Sequence, residues 1–518
     1  MKSRARGFTR REPRFFPAVV FTFALVSSAQ AATTCENLSS LSLPQTTVTL
    51  AQTVAAGAFT APPGGRGRGG GDPNAAFKNL PEFCRVAATM RPAADSEIKM
   101  EIWLPASGWN GKLEANGNGG WTGSIAPNTL AAGLERGYAA AMTDTGHEGG
   151  SADFALGHPE KIIDFGYRAV HEMTVKSKAI IAAYYGDGPK LSYWNGCSSG
   201  GRQGLREAQS YPEDFNGIVA GSPAINMTGR AIQSVWIAQA THREEGAAIP
   251  REKFAMIHAA ALDACDAADG AKDGIIDDPT RCKFDPKVLE CKGEDSASCL
   301  TTAQVETVRR IYSDVINPRT KQEIFPGHER GSELGWTTMA GPNPFGVGID
   351  LFKYIVFSNP NWDYKTFNFD SDFAASQKAD AAMDALNPDV RAYLARGGKI
   401  IQYHGWADPQ ISPRSSVEYY NNVLEKMGGL SKVSDSYRLF MVPAMAHCGG
   451  GDATASFDML AALEQWVEAK KAPDTVPASR IRDGKVDRTR PLCPYPQVAK
   501  YKGSGSVDDA ANFACTRP

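Results

Sequence analysis

The fold of this chain is decided by the segment Asn195-Gly196-Cys197-Ser198-Ser199-Gly200-Gly201, which follows the short apolar run 191–194. Its centre fits the pattern Gly-x-Ser-x-Gly, in which a serine occupies a tight turn from a strand to a helix and glycines avoid side-chain clashes. Residues 200–210 can form the helix that follows. The segment therefore predicts that the Ser198 hydroxyl lies at the C-terminal edge of a sheet, where a helix N-terminus favours developing negative charge.

Short apolar runs and helix-like stretches alternate on both sides of this segment. The predicted strands lie at residues 98–104, 111–114, 138–142, 191–194, 218–220, 398–403 and 438–442, and the predicted helices at 165–185, 200–210, 415–426 and 456–470. Such alternation indicates βαβ units and a mostly parallel sheet. The alternation stops after residue 226 and resumes near residue 391, so we expect an α/β core that is interrupted by one large helix-rich and loop-rich insertion.

Two further residues complete a nucleophilic site with Ser198. Hydrolases built on this turn place the remaining residues in the chain order Ser, then Asp or Glu, then His. Asp408 follows the strand 398–403, and of the 8 histidines only His447 lies after Asp408. A serine hydroxyl needs an imidazole to accept its proton, and the imidazole needs a carboxylate to fix its tautomer. We therefore predict an α/β-hydrolase core with Ser198 as nucleophile, His447 as base and Asp408 as orienting acid.

Each member of this set also has a simpler reading. Asp408 precedes a proline and suits a turn or cap, and His447 suits a loop in which its ring bonds a backbone carbonyl. His147 is the main rival as base, but it precedes the serine in the chain, so we interpret it as a structural loop residue. The chain order and the strand-end positions favour the catalytic reading of Asp408 and His447.

The N-terminus predicts export from the cytoplasm. Residues 1–14 are rich in arginine, residues 15–26 are apolar, and small residues at 29–31 provide a cleavage site. The apolar run is too short to span a bilayer comfortably, which disfavours the alternative of a retained anchor. We expect a secreted or periplasmic protein with no membrane attachment after cleavage, and the export route stays open.

The chain contains an even number of cysteines. Its 10 cysteines are Cys35, Cys84, Cys197, Cys265, Cys282, Cys291, Cys299, Cys448, Cys493 and Cys515. Together with an export signal they predict disulfides, and no cluster of Cys and His has the short spacings of a zinc site. The sequence does not fix the connectivity; the simplest local pairs are Cys265–Cys282, Cys291–Cys299 and Cys493–Cys515. A Cys197–Cys448 disulfide would join the nucleophile loop to the base loop and preorganise both.

Length and composition agree with a globular, multi-unit protein. The 518 residues suggest two or three packed units. We predict a signal peptide at 1–31, the first part of the core at 32–226, the insertion at 227–390 and the second part of the core at 391–518. The content of 42% hydrophobic and 22% charged residues is ordinary, and a net charge of −2 gives no electrostatic reason to expect a nucleic-acid or membrane partner.

The motifs around the predicted site resemble those of the tannase and feruloyl esterase family, which also contains the hydrolase of mono(2-hydroxyethyl) terephthalate. The similar stretches are Cys197-Ser198-x-Gly200-Gly201-Arg202, Asp408 after Tyr403-His404-Gly405, His447-Cys448, and the tail 490–505. The resemblance covers nearly the whole mature chain. It implies an α/β-hydrolase core, a lid domain in place of the insertion, the Cys197–Cys448 bridge and hydrolysis of esters of aromatic acids.

An oxyanion hole is expected beside the nucleophile. The backbone N–H of Ser199, the residue after the nucleophile, should be one donor. The resemblance favours Gly117, in the glycine-rich turn 116–120, as the second donor. The alternative for that turn is a plain tight loop.

The resemblance also implies a structural calcium in the lid. Its side-chain ligands would be Asp266, Asp269 and Asp273, and its carbonyl ligands Ala271 and Ile275. Closely spaced carboxylates suit a hard cation, although the spacing does not match an EF-hand and a polar turn is the alternative reading. No organic cofactor is expected.

The expected activity is hydrolysis of a small aromatic ester, such as a feruloyl or galloyl ester, through an acyl-enzyme. A mono(2-hydroxyethyl) terephthalate-type hydrolase, a serine peptidase and a noncatalytic binding protein on this fold are the alternatives. Substrate preference should be set by the lid, whose aromatic residues include Trp236, Trp336, Phe345, Tyr354 and Trp362.

Overall fold

The computed structural model describes residues 33–61, 72 and 74–517, and the predicted signal peptide lies outside them. Nine strands form the central sheet: β1 (Thr46–Val54), β2 (Phe83–Met90), β3 (Ile98–Pro105), β4 (Lys112–Asn116), β5 (Ala139–Thr143), β6 (Leu191–Cys197), β7 (Gly217–Gly221), β10 (Lys399–Gly405) and β11 (Tyr437–Val442). Three two-stranded sheets pair β8 (Val315–Ile316) with β9 (Glu323–Phe325), β12 (Val476–Arg482) with β13 (Lys485–Leu492), and β14 (Val498–Tyr501) with β15 (Phe513–Thr516).

The central sheet is parallel over most of its width. Its strand order is β1-β2-β3-β5-β4-β6-β7-β10-β11, and every pair from β5 to β11 is parallel, whereas the pairs among β1, β2, β3 and β5 are antiparallel. All residues of β5 and β7 are buried, because helices cover both faces of the sheet there. The carboxyl ends of the parallel strands therefore meet at one edge, which is where ligands bind in such sheets.

The helices fall into two groups. In chain order they are α1 (Pro127–Glu135), α2 (Pro159–Ile163), α3 (Ala169–Tyr185), α4 (Ser199–Ser210), α5 (Met227–Thr241), α6 (Phe254–Cys265), α7 (Thr302–Tyr312), α8 (Gly346–Asp350), α9 (Ser371–Met383), α10 (Arg391–Ala395), α11 (Arg414–Met427), α12 (Leu430–Val433) and α13 (Met459–Ala469). The first four and the last three flank the sheet strands along the chain. Helices α5 to α9 lie in the insertion between β7 and β10, and α10 leads from it into β10.

The insertion, residues 227–390, which we call the lid, has one hydrophobic core of its own and shares a second with Trp121 and Phe165 of the α/β core. One core packs around the buried Trp336, and a second packs around Phe352 and Phe367. The disulfides Cys265–Cys282 and Cys291–Cys299 lie in the lid. The predicted fold class, an α/β core with a mostly parallel sheet interrupted by a helix-rich and loop-rich lid, is therefore confirmed, while the exact domain boundaries stay a prediction.

The N-terminal part of the sheet was not visible in the sequence pattern. Strand β1 lies where the sequence shows little pattern, because it is an edge strand with mixed exposure and a register shift between Val48 and Leu50. The disulfide Cys35–Cys84 joins the segment before β1 to β2, and Cys493–Cys515 ties the C-terminal strands together. Among the described residues, no helix combines the length and the apolar character needed to cross a membrane.

Candidate active site

Ser198 occupies the sharp turn between β6 and α4. Its backbone angles are φ 63° and ψ −122°, in a region that side chains disfavour. The turn is that tight because its neighbours are glycines: a Cβ added to Gly196 would lie 2.5 Å from the carbonyl oxygen of Gly200, and one added to Gly201 would lie 2.5 Å from that of Gly221. The Ser198 N–H donates to the carbonyl of Gly221 at 2.9 Å, which holds the turn against β7.

The structure brings Ser198, His447 and Asp408 together at the carboxyl edge of the sheet. Nε2 of His447 lies 2.9 Å from Oγ of Ser198, and Nδ1 of His447 lies 2.6 Å from Oδ2 of Asp408. In this tautomer Nδ1–H donates to the carboxylate, so Nε2 is free to accept the serine proton. The three groups have the distances that an activated serine nucleophile requires.

Asp408 is fully buried and fully hydrogen-bonded. Oδ1 accepts the N–H groups of Gln410 and Ile411, at 2.8 and 3.0 Å. Oδ2 accepts from His447 and also from Nε2 of His404 at 3.1 Å. Burial alone would raise the pKa of Asp408, but the charge of protonated His447 and the hydrogen bonds from both histidines hold that pKa below its ordinary value. Asp408 therefore remains an anion that orients His447.

A disulfide links the nucleophile loop to the base loop. Cys197 and Cys448 are bonded, with a Cα–Cα distance of 6.0 Å and a sequence separation of 251. The bridge joins the residue before Ser198 to the residue after His447. It therefore limits how far the nucleophile and the base can separate.

The glycine-rich turn lies beside the nucleophile, but Gly117 is not a free donor. Its N–H donates to the carbonyl of Asn195 at 3.1 Å, because the pairing of β4 with β6 continues one residue into the turn. The assignment of Gly117 as an oxyanion donor is therefore not supported. A Cβ on Gly117 would lie 2.4 Å from Cα of Gly200, so this glycine permits the turn to approach α4 closely.

Other amides at this point have no acceptor. Ser199 is the first residue of α4, and its Oγ donates to the carbonyl of Gly120 at 2.9 Å, which ties the turn to the nucleophile helix. The Asn118 N–H donates to Oε1 of Gln203 at 3.1 Å. Within the described parts of the chain, the N–H groups of Gly119 and Gly120 have no hydrogen-bond acceptor.

His147 has structural partners, as its position before the nucleophile predicted. Its Nε2 lies 2.7 Å from the carbonyl oxygen of Trp121, and its ring stacks on Phe154 at a centroid distance of 3.8 Å. Burial lowers the pKa of His147, so the neutral ring is favoured. It holds the segment around Trp121 and lies outside the triad.

The lid covers the site from above the turn. Nε1 of Trp121 donates to the carbonyl of Val347 at 2.8 Å, and a Cβ on Gly120 would lie 3.7 Å from Cγ2 of Val347. Of the lid aromatics, Phe345 stands two residues before Val347 and carries the guanidinium of Arg230 at 4.7 Å from its ring centroid. Trp336 and Trp362 instead pack within the hydrophobic cores of the lid.

The carboxylates expected to bind calcium lie in one short loop. Asp266 accepts the amides of Asp273 and Gly274, at 3.1 and 3.0 Å, and Oδ1 of Asp269 accepts that of Ala271 at 2.9 Å. Oδ2 of Asp269 is buried and has no partner among the described residues. Asp273, in contrast, forms an ion pair with Arg490. The carboxylate and carbonyl oxygens, including those of Ala271 and Ile275, are of the type that a hard cation prefers.

Two functional candidates were not assigned from the sequence. His404 is buried and joins Asp408 to Oγ of Ser416, which lies 2.7 Å from its Nδ1. The loop 406–413, which carries Asp408, is called the acid loop. Arg230 is buried on the lid side of this loop, with Nε 3.3 Å from the carbonyl of Gln410. The position of His404, four residues before Asp408, was an available signal, whereas no sequence pattern marked Arg230.

Comparison with known proteins identifies the family. The family described as tannase and feruloyl esterase matches residues 84–516. An uncharacterized esterase of Xanthomonas campestris is 38% identical over 543 residues, which cover 95% of this chain and 92% of that protein. A probable feruloyl esterase B-1 of Aspergillus flavus is 34% identical over 455 residues, which cover 84% of this chain and 86% of that protein.

A solved structure agrees with this match. Feruloyl esterase B from Aspergillus oryzae superimposes with a TM-score of 0.86 at 31% identity, covering 93% of this chain and 99% of that one. The chain therefore belongs to the tannase and feruloyl esterase family and is a carboxylic ester hydrolase with an α/β-hydrolase core.

Proposed function

We propose that this chain is an exported serine esterase that hydrolyses esters of phenolic acids, feruloyl esters first, through an acyl-enzyme. The observation that carries the proposal is the line of hydrogen bonds from Ser198 through His447 to Asp408, at 2.9 and 2.6 Å. The substrate class is supported by two relatives whose names are feruloyl esterases.

The first half of the reaction forms the acyl-enzyme. His447 Nε2 accepts the proton of Ser198 as Oγ attacks the ester carbonyl carbon, and Asp408 stabilises the imidazolium. The carbonyl oxygen becomes an oxyanion at the N-terminus of α4. The N–H of Ser199 and one amide of the pair Gly119–Gly120 are the donors that we assign to it. The tetrahedral intermediate collapses, and His447 gives its proton to the departing alcohol.

The second half releases the acid. His447 accepts a proton from water, and the resulting hydroxide attacks the acyl carbon. The intermediate collapses, His447 returns the proton to Ser198 Oγ, and the free carboxylic acid leaves. Because the Cys197–Cys448 bridge holds both loops, Ser198 and His447 keep their distance through both halves.

The proposal is tested by a panel of esters with wild type beside Ser198→Ala. The panel contains methyl ferulate, methyl gallate, mono(2-hydroxyethyl) terephthalate and p-nitrophenyl butyrate. We expect the highest kcat/KM on methyl ferulate and a loss of about 10⁴–10⁶-fold in kcat for the variant.

Each alternative has its own outcome in this panel. Preference for gallate or for the terephthalate monoester reassigns the substrate within the family. An amide cleaved faster than the matching ester indicates a peptidase. No turnover by wild type, or full activity of Ser198→Ala, contradicts the serine esterase.

Export is supported by the disulfides. The structure pairs all ten cysteines in five bridges, and such bridges persist in oxidising compartments. Intact-mass measurement of the mature protein recovered from the periplasm or the medium tests this. The expected mass lacks residues 1–31, whereas a retained N-terminus contradicts cleavage.

We further propose a structural Ca²⁺ held by Asp266, Asp269 and Asp273 with the carbonyls of Ala271 and Ile275. The buried and unpartnered Oδ2 of Asp269 supports it. Burial and the neighbouring carboxyl group of Asp269 raise the pKa of Asp277. A bound cation would stabilise these carboxyl groups in their charged form.

Removal of the ion tests this site through stability. A ligand at 100 times its Kd stabilises a protein by about 2.7 kcal/mol, so EDTA should lower the midpoint of thermal unfolding and added Ca²⁺ should restore it. Asp269→Asn should abolish the response, and Asp263→Asn, an exposed aspartate in the preceding helix, should not. A midpoint that ignores both EDTA and Ca²⁺ contradicts the site.

A further inference from the structure

Arg230 is a buried arginine whose charge is poorly paired. It lies in the first turns of α5 and is 4% exposed. Its Nε donates to the carbonyl of Gln410 at 3.3 Å, and neither Nη1 nor Nη2 has an acceptor among the described residues. No carboxylate of the described chain forms a salt bridge with it. Burying a charged guanidinium without a partner is costly, which indicates that something else supplies the partner.

The other buried arginines of the described chain differ from Arg230. Nη1 of Arg202 donates to the carbonyls of Gly166 and Met383, at 2.8 and 3.2 Å. Arg488 and Arg490 both bond to Asp273. Each of these three has a terminal nitrogen on a carbonyl or carboxylate, as a structural arginine should. Arg230 lacks that partner at both of its terminal nitrogens.

The free nitrogens of Arg230 are not sealed in the interior. Nη1 and Nη2 each retain some accessible surface, although the residue as a whole is buried. Burial lowers the pKa of Arg230 to about 10, which leaves the guanidinium charged at neutral pH. The charged group thus keeps two accessible donor nitrogens.

The groups that contact Arg230 are connected to the triad and to the oxyanion turn. Gln410, which accepts from Nε, also donates its own N–H to Oδ1 of Asp408. Phe345, over which the guanidinium lies, is two residues from Val347, which contacts the turn at Gly120. Arg230 therefore stands between the acid loop and the part of the lid that covers the nucleophile.

We infer that Arg230 is a specificity-determining residue whose Nη groups bind the phenolic oxygen on the ring of the substrate's acyl group. The guanidinium lies over the ring of Phe345, which holds its orientation, and it offers two donors in one plane. An oxygen acceptor on that ring would complete the pairing that the protein leaves open. The inference rests on the proposed function, since it takes the substrate to be an aromatic ester.

The test compares two esters that differ only in the phenolic hydroxyl, methyl 4-hydroxycinnamate and methyl cinnamate. Wild type, Arg230→Met and the control Arg310→Met are assayed on both. Arg310 is also a lid arginine stacked on an aromatic ring, that of Trp236, at 3.3 Å from its centroid. Arg230→Met should lose about 10–100-fold in kcat/KM on the hydroxylated ester and about threefold or less on methyl cinnamate, the range of a charge-assisted hydrogen bond. Arg310→Met should treat both esters as wild type does.

An equal loss on both esters, or no loss on either, overturns the inference. Monomethyl terephthalate, which carries a free carboxylate on its ring, distinguishes the acceptor. A larger loss of kcat/KM on this ester than on the hydroxylated ester would assign Arg230 to a carboxylate and overturn the assignment to a phenolic oxygen.

If wild type hydrolyses none of these esters, the proposed function fails. The role of Arg230 is then tested separately, by measuring how tightly the free acids bind. Calorimetry with the Ser198→Ala protein should then show tighter binding of 4-hydroxycinnamate than of cinnamate. Arg230→Met in that background should remove the difference. Equal affinities before and after the change overturn the inference.

Discussion

The acid loop and the neighbouring part of the lid differ in how completely their buried charged groups are hydrogen-bonded. Asp408 accepts four hydrogen bonds, two from backbone amides and two from His404 and His447. Arg230, on the lid side, donates one long hydrogen bond from Nε, and its two terminal nitrogens have no acceptor in the described chain.

The difference separates the chemistry from its specificity. Groups that act on every substrate must hold their geometry before a substrate binds, so the protein itself satisfies them. A group that recognises one feature of one substrate discriminates best when the protein leaves it without a hydrogen-bond partner, because only the substrate with that feature then pairs it. Changes in the acid loop should therefore affect all esters alike, and changes at Arg230 should affect only some.

The largest effect is expected from Asp408→Asn. An asparagine amide offers a donor where His447 needs an acceptor, which favours the wrong tautomer of the imidazole. We expect kcat to fall by about 10⁴-fold on every ester. Steady-state kinetics on methyl ferulate and methyl cinnamate measures it. A fall that differs strongly between the two esters would contradict the separation of chemistry from specificity.

Two disulfides test the same contrast through stability. Cys197–Cys448 lies in the active site and spans 251 residues, whereas Cys291–Cys299 lies in the lid and spans 8. Replacing both cysteines of the first bridge by serine should cost about 2–5 kcal/mol of unfolding free energy, because the bridge closes a long loop. It should also lower kcat, since the two loops are no longer tied. Denaturant unfolding and kinetics measure both.

The lid bridge is the matched control. Serine at Cys291 and Cys299 should cost less stability, because a short loop loses little entropy on closure. It should leave kcat unchanged, since neither cysteine is adjacent in sequence to a triad residue. Equal losses of kcat in the two double variants would show that the active-site bridge has no special role in positioning the loops.

The proximity of Ser198, Asp408 and His447 could be predicted from the sequence because each of them stands at the end of a parallel strand. Ser198 follows β6, Asp408 follows β10 and His447 follows β11, and in such a sheet the carboxyl ends share one edge. Local pattern therefore determines a long-range arrangement here. The same reasoning gives the fold class, which depends only on the alternation of strands and helices.

The remaining features depend on which surfaces meet. The Gly117 amide is engaged because β4 and β6 pair one residue beyond the strand end, and no local pattern encodes that register. Arg230 comes close to the active site only because the fold places α5 beside the acid loop and Phe345. Arginine is mostly an exposed residue type, so the sequence of α5 gives no sign that Arg230 is buried. Strand β1, at the sheet edge, alternates in exposure only over residues 46–50, which is too short a stretch to reveal the whole strand.

A core carboxyl group without full pairing should behave unlike Asp408. Glu114 is buried in β4; its Oε1 accepts from Asn195, and its Oε2 has no partner in the described chain. Burial raises its pKa from 4.5 to about 7. The unfolded chain then loses this proton at lower pH than the folded chain, so the group costs stability increasingly as pH rises from 5 to 8.

Glu114→Gln removes this titration. Its stability relative to wild type should therefore increase by about 2 kcal/mol between pH 5 and pH 8. Denaturant unfolding of both proteins at the two pH values measures the change. A difference in stability that is the same at pH 5 and pH 8 would contradict the raised pKa.

The smallest effect is expected from His404→Gln, which weakens one of the four hydrogen bonds on Asp408 while the backbone amides and His447 remain. We expect kcat to fall by about tenfold, the range of one hydrogen bond to a charged group. Steady-state kinetics on methyl ferulate and methyl cinnamate measures this fall, which should be equal on both esters because His404 acts through Asp408. An unchanged kcat would instead assign His404 to packing alone.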